Sequence, residues 1–256
     1  MPIHKNEFPI LEYDTEKTGV ILPNRNGRAQ LPKLCLLTFF AEVLAVFAAK
    51  SKAEQIDSYS SEMGEYPIYK AEYKGMEFGL VQAVVGSASI AMMADRLIGC
   101  GAETLIACGG CGVLEAIPAG EVIVPVAALR DEGASYHYLP PSREIALDET
   151  VIRKITQTLE TFQTPCIKVK TWTTDAFYRE TPDMIAYRRE EGCAVVEMEC
   201  AALAAVAKFR GARFGQLLYS GDILTDFQNY DERDWSDNLT AREKLFYLSL
   251  EVLRNL

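Results

Sequence analysis

The chain has 256 residues, of which 26 are Lys or Arg and 36 are Asp or Glu, so its formal net charge is −10. Hydrophobic residues make up 49% and charged residues 24%, a composition that excludes intrinsic disorder and suffices for a sizeable buried core. The acidic balance argues against a main role in binding nucleic acid or an anionic membrane, although a local pocket can still take a small anion.

Short β-branched runs alternate with longer helical patterns, which is typical of an α/β fold with a mixed sheet. The pattern predicts strands at residues 34–40, 77–85, 103–108, 121–129, 166–172 and 213–219. It predicts helices at residues 42–50, 90–99, 150–162, 198–209 and 240–256. The glycine-rich stretch at residues 109–112 predicts a turn after the third strand. Because no linker or repeat divides the chain, we expect a single domain over residues 1–256.

The cysteine pattern predicts neither a disulfide framework nor a metal site. The seven Cys are an odd number, and the C-x-x-C formed by Cys108 and Cys111 has no second pair to complete it. We interpret both as small buried residues. The N-terminal sequence lacks a signal-peptide pattern, and the apolar run at residues 34–49 is shorter than the ~20 residues that cross a bilayer. We therefore expect a cytoplasmic protein.

Two acidic residues stand where a β-branched run turns into an Ala-rich helix. They are Glu197 and Glu199, in the segment VVEMECAALAAVA at residues 195–207. Acids at a helix start complement the helix dipole, which is one interpretation. The apolar flanks predict partial burial instead, and a buried carboxylate needs hydrogen-bond donors, which the hydroxyls of a sugar diol supply.

This segment resembles the V-E-M-E-x-A-A signature of the nucleoside phosphorylase family, which includes purine nucleoside phosphorylases, uridine phosphorylases and methylthioadenosine nucleosidases. Residues 86–125, 130–141 and 173–181 resemble further family segments, the last two most like uridine phosphorylases. The resemblance implies a single-domain three-layer α/β/α sandwich around a mixed, partly barrel-like central sheet. It also implies a homo-oligomer, from dimer to hexamer, that uses inorganic phosphate as co-substrate and needs no metal or organic cofactor.

The resemblance assigns residues to the sugar and to the base. Glu199 would accept hydrogen bonds from the ribose hydroxyls, Met198 would lie against the sugar, and Glu197 would flank the site. Phe177 matches the aromatic residue that stacks on the base, with Tyr178 beside it. A core position is the alternative for Phe177, since that is the commoner place for Phe.

Three further residues are implied around the leaving base and the ribose 5′-hydroxyl. Asp222 stands where purine-specific members have the acid that protonates the leaving base, with a turn residue as the alternative. Arg242 either reaches that acid or is an exposed helix residue. His4 matches a residue that some members donate across a subunit interface.

The match is incomplete where phosphorolytic members bind phosphate. Ala107 and Gly110 replace an Arg and a Ser or Thr of the family. The ligands that remain are Gly86, Ser89, Gly109 and Gly110, through backbone N–H groups and one hydroxyl. A phosphate dianion usually also meets a cation, and Arg25 and Arg28 are the substitutes that the sequence offers.

Hydrolytic members of the family use a Glu after the first strand to activate water, and Glu42 stands at the matching place. A first-turn acid of a helix is the simpler interpretation of Glu42. The leading hypothesis is a phosphorylase that cleaves a purine or pyrimidine nucleoside into free base and ribose 1-phosphate. A nucleosidase with Glu42 as base and a non-catalytic nucleoside-binding homologue are the alternatives.

Overall fold

The computed structural model describes residues 3–24, 28–225, 230–234 and 238–256. Strands and helices alternate along most of these residues, as the sequence pattern predicts. The elements are β1 (Leu34–Thr38), α1 (Ala41–Ser51), β2 (Glu54–Ser61), β3 (Gly64–Tyr73), β4 (Met76–Gln82), α2 (Ser87–Gly99), β5 (Thr104–Val113), β6 (Val122–Asp131), β7 (Glu144–Ala146), α3 (Glu149–Thr161), β8 (Cys166–Thr174), α4 (Pro182–Glu190), β9 (Cys193–Glu197), α5 (Cys200–Arg210), β10 (Arg213–Ile223) and α6 (Leu239–Arg254).

The ten strands of the described residues form one mixed sheet that closes on itself in part. Strand β5 pairs with β10 in parallel and with β9 antiparallel, while β6 joins β10 to β8 and β8 joins β9. These five strands form a closed ring. On the edge opposite β10, the first half of β5 pairs with β1 and its end pairs with β9. From β1 the open part of the sheet continues through β4, β3 and β2. The expected partly barrel-like mixed sheet is therefore confirmed.

Helices cover both faces of this sheet, which confirms the three-layer arrangement. Side chains of β1 alternate between the faces, as they must in a strand. Leu36 packs in a cluster with α1, α3 and α6, whereas Leu37 packs in a cluster with α2 and α5. Almost every residue of α5 is buried, because its alanines let the helix lie close to the sheet. Gly211 ends α5 in the left-handed region with φ 79°.

The predicted glycine-rich turn at residues 109–112 is wrong, since β5 continues to Val113. Gly109 and Gly110 pair with Leu218 and Tyr219 of β10 in the strand ladder. Their side-chain space is already occupied. A Cβ on Gly109 would lie 2.8 Å from the Phe39 ring, and one on Gly110 would lie 3.3 Å from the Tyr219 ring. The glycines therefore make room for aromatic rings rather than for a bend.

Several elements depart from the sequence prediction. Strands β2 and β3 were not predicted, because they are largely half-buried or exposed and carry polar residues on both faces. The short β7 and α4 were also missed. Helix α5 begins at Cys200 rather than at residue 198, which leaves both acids of the E-M-E segment outside the helix. Cys108 and Cys111 are buried free thiols, as interpreted. Among the described residues, no helix combines the length and apolar character of a membrane span.

Candidate active site

Glu197 and Glu199 lie between β9 and α5 and differ in their partners. The Thr173 and Thr171 hydroxyls donate to Glu197 Oε1 at 2.6 and 3.3 Å. The backbone N–H groups of Glu199 and Cys200 donate to Glu197 Oε2 at 2.8 and 2.6 Å. Glu197 thus satisfies the first N–H groups of α5 and joins that helix to β8. All of its acceptor positions are directed at the protein, so its role is to hold the site together.

Glu199 has far fewer protein partners. Its side chain is buried, and Oε1 accepts a hydrogen bond from the Gly86 N–H at 2.7 Å. Burial and the nearby charge of Glu197 raise the pKa of Glu199 to about 8. Within the described residues no Lys, Arg or His forms an ion pair with it. A ligand with two neighbouring hydroxyl groups would supply the donors that the protein does not.

A second polar network lies beside Glu199 and is centred on Ser87 and Asp175. The Ser87 hydroxyl contacts Asp175 Oδ1 and also the Met198 carbonyl oxygen, the latter at 3.0 Å. Asp175 Oδ2 accepts a hydrogen bond from the Gly133 N–H at 2.9 Å. The network connects the start of α2 with the segments after β6, β8 and β9. Sequence reasoning missed Ser87 and Asp175, although both lie in segments that resemble the family.

Phe177 and Tyr178 form an exposed aromatic pair directly after β8. They lie in a short 3₁₀ turn, Phe177–Arg179, with ring centroids 3.9 Å apart and ring planes inclined by 37°. Phe177 is 50% exposed and Tyr178 is 88% exposed, so the core alternative for Phe177 is wrong. Phe177 stands two residues beyond Asp175, the residue whose carboxylate contacts the Ser87 hydroxyl. The pair is available to a flat apolar ligand.

Asp222 lies near the end of β10 in a group of three ionisable side chains. The Tyr230 hydroxyl donates to Asp222 Oδ2 at 3.1 Å, and Oδ1 faces Gly112 of β5. Burial raises the pKa of Asp222 despite this hydrogen bond. Burial and the charge of Asp222 also raise the pKa of Glu180 to about 8. Sequence reasoning missed Glu180, although it lies in the segment 173–181 that resembles the family, and it missed Tyr230, which stands in no motif.

Glu42, in the first turn of α1, and Arg242, in the first turn of α6, form a bidentate ion pair. Arg242 Nε and Nη2 donate to the two carboxylate oxygens of Glu42 at 2.6 and 3.0 Å. The guanidinium lies 4.8 Å from the Phe40 ring centroid and also interacts with the Tyr219 hydroxyl. Arg242 is buried and pairs with Glu42, so both placements considered for it, beside Asp222 or exposed on the helix, are wrong.

The same pair weakens the case for Glu42 as a general base. Burial acts to raise the pKa of Glu42, but the hydrogen bonds and charge of Arg242 outweigh it, so this pKa is lowered. A carboxylate bound by a guanidinium gives up basicity as well as free lone pairs. The simpler interpretation of Glu42, a first-turn acid of α1, agrees with its position.

The predicted phosphate ligands of the described residues already have partners within the protein. The Gly86 N–H is bonded to Glu199, and Gly109 and Gly110 are ladder residues of β5. Ser89 is half-buried, and its hydroxyl lies 3.9 Å from Met63 Sδ.

Of the two predicted cations, Arg28 lies among the described residues. Arg28 adjoins Asp57 and Cys100 at the far end of α2, roughly 20 Å along the helix from Gly86. This placement contradicts a role for Arg28 at that site. Arg25 lies outside the described residues. His4 is exposed in the N-terminal segment, and its predicted role at a subunit interface stays a prediction.

A model of the phosphorylase superfamily matches residues 33–253 of this chain. The chain belongs to the phosphorylase superfamily. Among relatives, it is 27% identical over 182 residues to guanosine phosphorylase of Halorubrum lacusprofundi, with 70% of this chain and 75% of that protein covered. It is 28% identical over 199 residues to purine nucleoside phosphorylase of Plasmodium vivax, with 75% and 80% covered.

Solved structures of the superfamily share the fold. The crystal structure of AMP nucleosidase from Bacteroides thetaiotaomicron superposes with a TM-score of 0.71 at 25% identity, covering 88% of both chains. In this superfamily member, the structure brings Gly86 to Glu199, beside Glu197 and Met198, and the ligand roles assigned to these residues stay predictions. It also places Glu42 and Arg242 in one ion pair, which no sequence signal indicates.

Proposed function

We propose that this chain cleaves the N-glycosidic bond of a purine nucleoside with inorganic phosphate and releases the free base and ribose 1-phosphate. The observation that carries the proposal is Glu199, a buried carboxylate with one oxygen fixed by the Gly86 N–H and with few other donors. Two ribose hydroxyls would supply those donors and favour the ionised form of the carboxylate. The names of the two relatives support phosphate as the acceptor.

In the proposed reaction a phosphate oxygen attacks ribose C1′ while the bond from C1′ to the base nitrogen breaks. The electron pair of that bond passes to the base, which takes a proton from Asp222. The raised pKa of Asp222, caused by its burial, favours the protonated acid that this step needs. A purine fits better than a pyrimidine, because its imidazole nitrogen accepts such a proton. Phe177 would stack on the base, with Tyr178 beside it, and Met198 would lie against the sugar.

Hydrolysis by a nucleosidase is the second candidate, favoured by the likeness to AMP nucleosidase. In that case water replaces phosphate and free ribose or its phosphate ester is the product. The ion pair between Glu42 and Arg242 disfavours the route through Glu42, since the base would have to leave its cation first. A non-catalytic nucleoside-binding protein remains the third reading, which any turnover would exclude.

We also propose a cytoplasmic homo-oligomer of single-domain subunits that needs no metal or organic cofactor. Support for the oligomer comes from apolar side chains that the N-terminal segment leaves exposed. They are Ile3, Phe8, Val20 and Ile21. A neighbouring subunit would cover them, and His4 of this segment would then lie at the interface.

The deciding experiment measures release of free base from guanosine, inosine, adenosine, uridine and AMP, each with and without phosphate. We expect release from the purine nucleosides that requires phosphate and yields ribose 1-phosphate in equal amount. Equal rates without phosphate would contradict phosphorolysis and favour the nucleosidase. Preference for uridine would contradict the purine assignment while leaving phosphorolysis in place.

A further inference from the structure

The phosphate end of the site lacks the side chains that the superfamily resemblance predicts, and a different cation stands beside it. Ala107 is fully buried, and Gly110 has no side chain. A Cβ on Gly110 would lie 3.3 Å from the Tyr219 hydroxyl oxygen, and that hydroxyl interacts with Arg242. One phenol group therefore separates the guanidinium from the strand position where a phosphate ligand was expected.

The ion pair has the geometry of an anion site that is already filled. Two nitrogens of Arg242 hold the two carboxylate oxygens of Glu42 in a parallel, bidentate pair. A guanidinium binds two oxygens of a phosphate in the same manner. The first turn of α1 adds to the positive potential, because its preceding residue, Phe40, has no side-chain acceptor to cap the helix N–H groups.

The two partners are not equally fixed. The Arg242 side chain is 10% exposed and packs on the Phe40 ring, whereas the Glu42 side chain is 41% exposed. Glu42 can therefore rotate into water while the guanidinium stays in place. A buried guanidinium left without an anion is costly, so Glu42 leaves only when another anion takes over its bonds to Arg242.

Resting on the proposed phosphorolysis, we propose that Arg242 is the cationic phosphate ligand of this chain and that Glu42 occupies the guanidinium until phosphate displaces it. Phosphate and the Glu42 carboxylate then compete for one site, since two anions on the same guanidinium repel each other. Glu42 therefore lowers the affinity for phosphate by competing with it, and it takes no part in activating water. Arg28, at the far end of α2, has no role at this site.

Calorimetric titration with inorganic phosphate, alone and with a saturating non-reactive nucleoside analogue, tests the proposal without requiring turnover. We expect Glu42→Gln to bind phosphate about 3- to 10-fold more tightly, because the competing charge is gone. The double variant Glu42→Gln with Arg242→Gln removes both charges and leaves no buried ion unpaired. We expect it to bind phosphate at least about 10-fold more weakly than the wild type.

Asp57→Asn is the matched control. Asp57 is also a carboxylate paired with a buried arginine, since Arg96 Nη2 donates to it at 2.9 Å, and it adjoins Arg28. We expect this variant to bind phosphate like the wild type. Tighter binding in Asp57→Asn than in Glu42→Gln would overturn the proposal and return the role to the arginines beside Asp57.

The same variants separate this proposal from the proposed function. Phosphorolysis with an unchanged KM for phosphate in the double variant would overturn the role of Arg242 and leave the function intact. Phosphate binding that follows the expected order in a protein that releases no base would support Arg242 and contradict the function. Loss of base release in Glu42→Gln, with or without phosphate, would contradict the competing role of Glu42 and indicate that it is a general base. Wild-type protein that binds no phosphate under either condition would overturn the proposal.

Discussion

The two parts of the proposed site, a ribose end at Glu199 and a phosphate end at Arg242, are built on different principles. At the ribose end, Glu199 is fixed by a backbone N–H, and Glu197 is held by two hydroxyls and two N–H groups. At the phosphate end, two side chains from opposite ends of the chain neutralise each other, and one of them faces solvent. The first arrangement is preorganised for a neutral diol, and the second must exchange a partner before an anion binds. Neighbouring parts of one site can therefore differ in whether a ligand must first displace a side chain of the protein.

The largest effect is expected at Glu199, the carboxylate on which the ribose end depends. Glu199→Gln keeps the shape of the side chain and its bond to Gly86 but cannot become an anion. We expect kcat/KM for purine nucleosides to fall by about 10²–10³ while the free energy of unfolding at pH 7 stays within about 1 kcal/mol. An activity loss below about tenfold would mean that ribose binds elsewhere.

Asp222→Asn tests the acid that we propose protonates the leaving base. We expect kcat for purine nucleosides to fall by about 10²-fold, because the departing base no longer receives a proton. Tyr230→Phe, which removes the hydrogen bond to Asp222 and leaves the acid, is the comparison and should lose less. Substrates with a good leaving group need no such proton, so Asp222→Asn should cleave them at nearly wild-type rate. A uniform loss over all substrates would contradict the acid role.

Glu197→Gln distinguishes the two acids of the ribose end. One carboxylate oxygen of Glu197 becomes an NH₂ group that faces N–H or O–H donors, so we expect the free energy of unfolding to fall by about 2–3 kcal/mol. KM for the nucleoside should change less than in Glu199→Gln. Chemical denaturation together with steady-state kinetics measures both. A stable, inactive Glu197→Gln protein would mean that Glu197 contacts the substrate.

Gly110→Ser tests whether adding the hydroxyl expected from the family at this position is enough to improve phosphate binding. Because the Tyr219 ring occupies the space beside Gly110, we expect a loss of about 1–2 kcal/mol in stability and no decrease in KM for phosphate. Gly110→Ala, which adds the same Cβ without the hydroxyl, should destabilise similarly. A lower KM for phosphate in the Ser variant alone would show that the site accepts the family's hydroxyl.

The smallest expected effect concerns Glu180 and the pH dependence of stability. Burial and the charge of Asp222 raise the pKa of Glu180 to about 8, so its contribution to stability is complete only below the ordinary pKa of an unfolded Glu and falls steadily from there until the pH reaches about 8. Glu180→Gln should therefore lose less stability than the wild type between about pH 5 and pH 8. Asp183→Asn, an exposed acid three residues later, should follow the wild type. Identical slopes in all three proteins would contradict the burial of Glu180.

Local signals predicted most of the fold and drew attention to the two acids between β9 and α5. The β-branched and Ala-rich patterns of β1 and α5 depend on their own residues, and the two acids stand in a recognisable motif. The ion pair of Glu42 with Arg242 and the strand position of Gly110 were not predicted, because their determinants are distant in sequence. Glu42 meets Arg242 across 200 residues. Gly110, which resembles a turn residue, is in fact required by the ring of Tyr219 on another strand. Neither relation leaves a local trace in composition or periodicity.

Closure of the five-strand ring has a consequence for biosynthesis. Strand β5 pairs along its length with β10, which the ribosome makes roughly 100 residues later. At about 5–20 residues per second, one edge of the nascent β5 would wait on the order of 5–20 s for its partner. An apolar strand with an open edge is a template for pairing with other chains. We therefore expect the yield of native enzyme to depend on translation speed and on chaperones that shield β5 until β10 and α6 emerge.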